Sequence, residues 1–249
     1  MGRISVDILY GRNPVLEALR AGRGVRRLVV ADGLPDEARL QEILDIAASR
    51  GIAVERTGRG RLLDIAHSEH HQGVAGYFHS RPEPRLDAVL AACRPPALLL
   101  VLDGIQDPQN LGALMRSAEA VGVDAVIAPR HRAATLTPAA VKASAGASEY
   151  VPLVTVTNLA QALAHLADAG IWRVGLAAEA EERYDQVDYR EPTAIVIGAE
   201  ADGLRQLTRR SCDRLVSLPM AGRVASLNAA AAGAAILYEA YRQRGFAVR

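Results

Sequence analysis

The chain has 249 residues, half of them hydrophobic, and a formal net charge of +1. That length accommodates one large or two modest domains, no apolar run is long enough to cross a bilayer, and the near-neutral balance does not announce a nucleic-acid partner. Cys93 and Cys212 are far apart and lack C-x-x-C spacing, which argues against a disulfide framework; charges in the opening MGRISVDILYGRN, where a signal peptide needs its apolar segment, predict a cytoplasmic protein.

Residues 1–80 read as a small alternating α/β unit. NPVLEALRA (13–21) has apolar residues at helical spacing, and RRLVVA (26–31) is a strand candidate. DEARLQEILDIAASRG (36–51) is an amphipathic helix ended by Gly51. IAVER (52–56) and GVAGYFH (73–79) read as further strands, with a turn and a helix in GRGRLLDIA between them. SRPEPR (80–85) has two prolines and alternating charge, and the short helix LDAVLAAC precedes Pro95-Pro96. The predicted division is therefore a first domain over 1–80, a linker over 81–96 and a second domain over 97–249. In that second part the strand candidates are 97–104, 124–129, 150–156, 172–178, 194–198 and 214–219, with helices between most of them and a long helix from about Ser226 to Arg244. Continuous apolar strands alternating with helices predict a mostly parallel sheet covered on both faces, with ligands beyond the carboxyl ends of its strands.

Several segments carry chemistry beyond packing. The chain holds neither G-x-G-x-x-G after a strand nor G-x-x-x-x-G-K-[ST], so neither a dinucleotide fingerprint nor a P-loop is supported. The cluster HSEHHQG (67–73) brings His67, Glu69, His70 and His71 together, with His79 nearby, but its spacings suit a turn better than a helical metal face; no metal is expected. Lys142 is the only lysine among 29 Lys and Arg, a bias that fits either codon usage or a preference for the phosphate-matching guanidinium fork. Arginines in AGRGVRR (21–27) and RTGRGR (56–61) are glycine-spaced and read as loop residues suited to backbone phosphates or to plain solvation.

Three segments in the second part are more specific. DPQNLGALMR (107–116) opens a helix with Asp107 as candidate cap and Pro108 at its first position, yet also carries Asn110 and Arg116. IGAEADGL (197–204) ends a β-branched strand in Gly198, followed by Glu200 and Gly203. LPMAGRVASLN (218–228) leads from a strand end through a turn to Ser226 and Asn228, where a long Ala-rich helix begins with free backbone N–H groups.

In order and spacing these segments resemble the motifs of the SpoU family of RNA ribose 2′-O-methyltransferases, within the SPOUT superfamily: NLGALMR, GAEADGL and PMAGRVASLN. YGRNPVLEAL and HQGVAGY look like the substrate-binding domain of the members that methylate 23S rRNA guanosines, a domain that resembles ribosomal protein L30e. The resemblance implies a C-terminal deep trefoil knot, a homodimer through that region, and S-adenosylmethionine bent in the knot against Gly198, Leu218, Met220, Gly222 and Leu227. It implies Arg116, Asn110, Glu200, Ser226 and Asn228 as the catalytic set, and 23S rRNA or its precursor particle as partner. Arg116 would stabilise the developing alkoxide, with Asn110 and Glu200 orienting it and the ribose or cofactor; Arg23, Arg26, Arg59, Arg61 and Gln72 would contact RNA. A family member acting on tRNA, a resistance-type rRNA enzyme and a non-catalytic RNA-binding or ribosome-assembly protein are the alternatives. Two positions depart from the family pattern: Ala201 replaces the usual glycine after the motif glutamate, and Ala230 stands where a hydroxyl is common.

Overall fold

The chain folds into two compact units in the computed structural model, which describes residues 6–200, 202–223 and 226–247. The Ala201 departure therefore lies outside the described residues. The first compact unit comprises the residues through Pro82 together with Leu136–Tyr150; the second comprises Glu83–Thr135 and the chain from Val151 onward.

In the first unit, strands β1 (Val6–Tyr10), β2 (Val25–Ala31), β3 (Val54–Thr57) and β4 (Val74–His79) alternate with helices α1 (Arg12–Arg20), α2 (Ala38–Ser49) and α3 (Arg59–Ala66). The sheet order is β1-β4-β2-β3, with β2 and β3 parallel and both neighbours of β4 antiparallel to it. Alternate residues of β2 face opposite sides: Leu28 and Val30 join a core with Leu16, Leu19 and Ile43, whereas Val29 and Ala31 join Leu62 and Ala66 of α3. Sequence periodicity does not reveal β1, because VDILY is short and its pairing partner, β4, lies some 70 residues away; the register runs from Val6 opposite His79 to Tyr10 opposite Ala75.

The second unit begins with α4 (Leu86–Ala92), whose Leu86, Val89 and Leu90 pack on the main core. There follow β5 (Leu98–Asp103), α5 (Pro108–Ala120) and β6 (Ala125–Pro129). The chain then enters the first unit as α6 (Pro138–Ala143) and returns as β7 (Leu153–Val156), α7 (Leu159–Asp168), β8 (Trp172–Leu176), β9 (Thr193–Gly198), α8 (Gln206–Arg210), β10 (Arg214–Val216) and α9 (Ala229–Gln243). The six strands run in the order β10-β8-β9-β5-β6-β7, and every pairing is parallel. β5, β6 and β9 are buried along their whole length, which is why they read as unbroken apolar runs rather than alternating ones. One face packs Leu99, Val101 and Val196 against Leu159 and Leu163 of α7. On the other, Gly233 of α9 lies so close to α5 that a Cβ there would sit 2.4 Å from Leu114 Cδ2. The Ala-rich start of α9 thus serves a close helix–helix contact within this unit.

Segment Leu136–Tyr150 is held in the first unit by packing and charge. Val141 joins the core around Leu16 and Leu19. Glu149, 2 % exposed at its side chain, takes ion pairs from Arg23 at 2.9 Å and Arg81 at 2.7 Å. Gly146, at φ 97°, abuts Glu17, where a Cβ would come within 2.5 Å of Glu17 Cβ.

Candidate active site

The carboxyl ends of β8 and β9, the segment after β10 and the start of α9 meet around one cleft, as expected of an open parallel sheet. Asp107 caps α5 by accepting from the Gln109 N–H at 2.9 Å, and Pro108 follows at the first helical position. The cap sets the first turn so that Asn110 faces inward; its residue is 8 % exposed.

Asn110 Nδ2 donates to Glu200 Oε1 at 3.0 Å, and Asn228 Nδ2 donates to Asn110 Oδ1 at 2.9 Å. Asn228 Nδ2 also donates to Glu200, which in addition accepts the Ala229 N–H at 3.3 Å. Asn228 Oδ1 meanwhile accepts the N–H groups of Ala230 and Ala231, at 2.9 and 3.2 Å. Asn228 is thus the N-cap of α9, and its amide joins three segments far apart in sequence. The Glu200 carboxylate lies at the positive end of α9, where the helix dipole favours an anion. Ser226 is exposed and precedes the cap by two residues. The backbone donors that the sequence left free for a ligand are engaged by Asn228 and Glu200 instead.

The loop bearing Glu200 is fixed at both ends. Ala199 and Gly203 form a two-way bridge, at 3.1 and 2.9 Å, that folds the end of β9 back on itself. A Cβ at Gly198 would lie 2.1 Å from the carbonyl carbon of Gly203 and 2.4 Å from the Leu204 nitrogen, so only glycine fits. Beyond the turn, Asp103 at the end of β5 accepts the Arg205 N–H at 2.8 Å and pairs with its guanidinium at 3.0 Å, with its own side chain fully buried. Sequence reasoning missed this clamp; the signal was a lone carboxylate closing the otherwise apolar run LLLVLD.

Below Glu200 opens a cleft walled by Gly198, Leu218, Met220 and Leu227. Ser226 also lines it, so the structure gathers most of the residues that the motifs nominated. Gly222 is not among the lining residues. The unforeseen part of the wall is Leu176, Ala178, Ile197 and Ala232, contributed by neighbouring strands and by α9. No short motif marks them, because their placement follows from strand order. Met220 and Leu227 remain 41 and 44 % exposed, leaving apolar surface open toward a ligand.

Arg116 stands apart from this network. It lies six residues beyond Asn110 on α5, about 9 Å along the axis and well round the helix from the buried face. Its side chain is exposed, and no hydrogen bond or ion pair ties it to Asn110 or Glu200 among the described residues. Among the described residues, Asn110 and Glu200 are hydrogen-bonded to each other and to the start of α9, not to Arg116. At the Ala230 departure, the backbone N–H is one of the two capped by Asn228.

In the first unit, Arg23 lies in the loop before β2, as its flanking glycines predict, but the other glycine-spaced arginines sit on regular elements. Arg26 is exposed on β2, and Arg59 and Arg61 lie in the first turn of α3. Arg61 pairs with Glu55 at 2.7 Å. Arg23, 7 % exposed at its side chain, is held by Asp7 and Glu149 and lies 5.7 Å from the Phe78 ring centroid, so as it stands it braces the unit rather than facing solvent. Gln72 is exposed at a turn with φ 53° and accepts the Arg12 N–H at 3.0 Å. Among the described residues no group of His, Cys, Asp and Glu side chains is arranged to hold a metal ion, and no helix is long and apolar enough to cross a membrane.

Residues 97–238 match the SpoU rRNA Methylase family, and residues 8–84 match the RNA 2′-O ribose methyltransferase substrate binding family. The chain is 44 % identical, over 96 % of its length and 96 % of the relative, to a protein of Pseudomonas syringae pv. tomato named 23S rRNA (guanosine-2′-O-)-methyltransferase RlmB. It is also 44 % identical, over 96 % of its length and 77 % of the relative, to a Mycolicibacterium vanbaalenii protein named as an uncharacterized tRNA/rRNA methyltransferase. The solved SpoU methyltransferase AviRb from Streptomyces viridochromogenes, in complex with AdoMet, superposes with a TM-score of 0.83 at 28 % identity, covering 98 % of this chain and 93 % of that one.

Proposed function

The chain belongs to the SpoU rRNA methylase family, and we propose that it methylates the ribose 2′-hydroxyl of a guanosine in 23S rRNA, in the peptidyl-transferase P-loop region, using S-adenosylmethionine. The observation that carries this reading is the convergence of Asn110 and Asn228 on Glu200, which lines a glycine-walled, apolar cleft, since packing alone requires none of these polar groups. High identity to rRNA-modifying relatives over almost the whole chain favours rRNA as substrate.

The cleft fits the cofactor. Gly198 leaves room that a Cβ would fill, Leu176, Ile197 and Ala232 offer an apolar wall for an adenine, and Leu218, Met220 and Leu227 line the opposite side. Gly222 contributes through the turn that joins these segments. S-adenosylmethionine supplies the methyl group as part of a sulfonium. Everything else falls to the chain's own residues. A guanidinium is a fork of hydrogen-bond donors with no acceptor, so the role of Arg116 is to stabilise the developing alkoxide and hold an adjacent phosphate, while water or another group takes the proton. Glu200 and Asn110 hold the ribose or cofactor polar groups, Asn228 positions both, and Ser226 offers a hydroxyl at the cleft mouth.

The same reading includes a deep trefoil knot in the second unit, a homodimer through that region, a cytoplasmic location and a first unit, resembling ribosomal protein L30e, that delivers RNA; family membership and the six-stranded parallel sheet support it. Arg26, Arg59 and Arg61 are exposed there for phosphate contact.

Ribose-methylation mapping of rRNA and tRNA from a strain lacking the protein, complemented with either the parent chain or Arg116→Ala, tests the proposal. Loss of one 2′-O-methylguanosine from 23S rRNA, restored by the parent and not by Arg116→Ala, is the expected result. Loss in tRNA would overturn the substrate, and restoration by Arg116→Ala would remove Arg116 from the chemistry.

A further inference from the structure

The first unit contains a cavity of about 650 Å³, within the range of small-ligand sites, between the start of α1, the start of α3 and the turn before β4. Its frame is built rather than incidental. Arg12 donates its N–H to Gln72 Oε1 at 3.0 Å and its Nε–H to the Gln72 carbonyl at 3.2 Å, and pairs with Glu37. Gly73, at φ 78°, sits where a Cβ would come within 2.6 Å of Leu34. Two loops are thereby locked together around an open space.

His71 forms part of the cavity wall and is only 7 % exposed. Its Nδ1 accepts the Gly73 N–H at 2.9 Å, so the ring is neutral and carries its proton on Nε2. Burial, and then the charge of Arg59, hold it below the usual histidine range, which keeps the ring neutral. The Nε2–H has no protein acceptor among the described residues and keeps contact with solvent, so it is a donor that a ligand can reach. Around it stand the guanidinium of Arg59, the Glu69 carboxylate, and Leu34 and Leu63, the last 40 % exposed. Cations with an apolar wall and both hydrogen-bonding signs suit a ligand that is flat, apolar on its faces, polar at its edge and anionic beside it.

We propose that this cavity seats one unpaired purine nucleotide of the RNA substrate, with the base against Leu34 and Leu63, its edge at His71 and Glu69, and a flanking phosphate at Arg59. The assignment rests on the RNA-methylating function proposed above and deepens it: the first unit selects RNA by an extruded base, not by duplex charge alone. RNA recognition commonly relies on such unstacked bases, because the A-form major groove is too narrow to read.

Two glycines allow a clean test. Gly60 is on the cavity wall, Gly58 is not, and a Cβ at either meets nothing within 4 Å, so both accept a side chain without a clash. Gly60→Glu and Gly58→Glu add the same charge two residues apart, one inside and one outside the cavity. The probe is a short RNA hairpin with an unpaired purine loop carrying 2-aminopurine, compared with a blunt duplex of equal length. The parent full-length protein is expected to prefer the hairpin and to change its 2-aminopurine emission. Gly60→Glu should weaken hairpin binding by about tenfold or more and abolish the emission change, while Gly58→Glu costs less than about threefold. S-adenosylmethionine affinity should be unchanged in both.

Equal losses for the two variants, or equal affinity of the parent for hairpin and duplex, would overturn the proposal. Undiminished rRNA methylation by Gly60→Glu would do the same. Selective hairpin binding without methylation of any RNA would uphold the cavity and remove the enzymatic reading instead.

Discussion

Replacing Asn228 tests whether the polar network is a structural hub. Asn228→Ala removes the cap that accepts from Ala230 and Ala231, a loss of about 1 kcal/mol. It also leaves the buried Asn110 Oδ1 without its donor, a further loss of about 1–3 kcal/mol. Because these effects share one side chain, the whole should fall at about 2–4 kcal/mol rather than add strictly. Asn228→Ser separates them: a serine hydroxyl caps a helix nearly as well, but lacks the second arm that reaches Asn110 and Glu200, so it should recover about 1 kcal/mol relative to alanine. Trp172, the only tryptophan, lies 54 % exposed on β8 of the same unit and reports its unfolding in urea. Cofactor affinity, measured alongside, should fall for both variants, because Glu200 loses its Asn228 donor in each. A serine variant as stable as the parent, or one as unstable as the alanine variant, would refute the reasoning; the first removes the network contribution and the second removes the cap.

The remaining expectations concern the cleft, a buried thiol and the bracing of the first unit. Gly198→Ala should abolish cofactor binding because its Cβ meets backbone atoms at 2.1–2.4 Å, whereas Gly203→Ala, at φ 61° with open space around it, should cost only about 1–2 kcal/mol and leave binding measurable; calorimetric titration with S-adenosylmethionine compares them. Burial pushes the Cys212 thiol up to about 12, so it stays protonated at pH 8 and should alkylate about a thousandfold more slowly than a free cysteine, with a rate still rising above pH 10; mass spectrometry of iodoacetamide-treated native protein reads this directly, and a plateau near pH 9 would contradict it. Glu149→Gln removes one of the two carboxylates paired with Arg23, 7 % exposed at its side chain, while Asp7 remains, and should destabilise the first unit by about 1–3 kcal/mol; amide hydrogen exchange in α1 and β4 is the check, with unchanged protection the contrary outcome.

The sequence by itself determined those features that depend on near neighbours. The buried strands announced themselves as unbroken apolar runs, because a parallel sheet covered on both sides selects against polar residues at every position. Asp107-Pro108 marked the start of α5, since a cap and its first turn are local chemistry. The polar residues of the three motifs stood out because nothing in their own segments required them. Tertiary structure decided what depends on distant partners. β1 exists through its pairing with β4. Arg23, legible only as an arginine between glycines, is held by Glu149, 126 positions away, and by Asp7. Asn228 rather than Ser226 caps α9, and the same amide reaches 118 residues back to Asn110. His71 reads in sequence as one of a cluster in a surface turn; only the docking of that turn against α1 and α3 buries the residue at the wall of a cavity. Local propensity acts over a turn or two of chain, whereas burial and long-range hydrogen bonding assign each polar side chain its partner, and that assignment exists only once the sheets have closed.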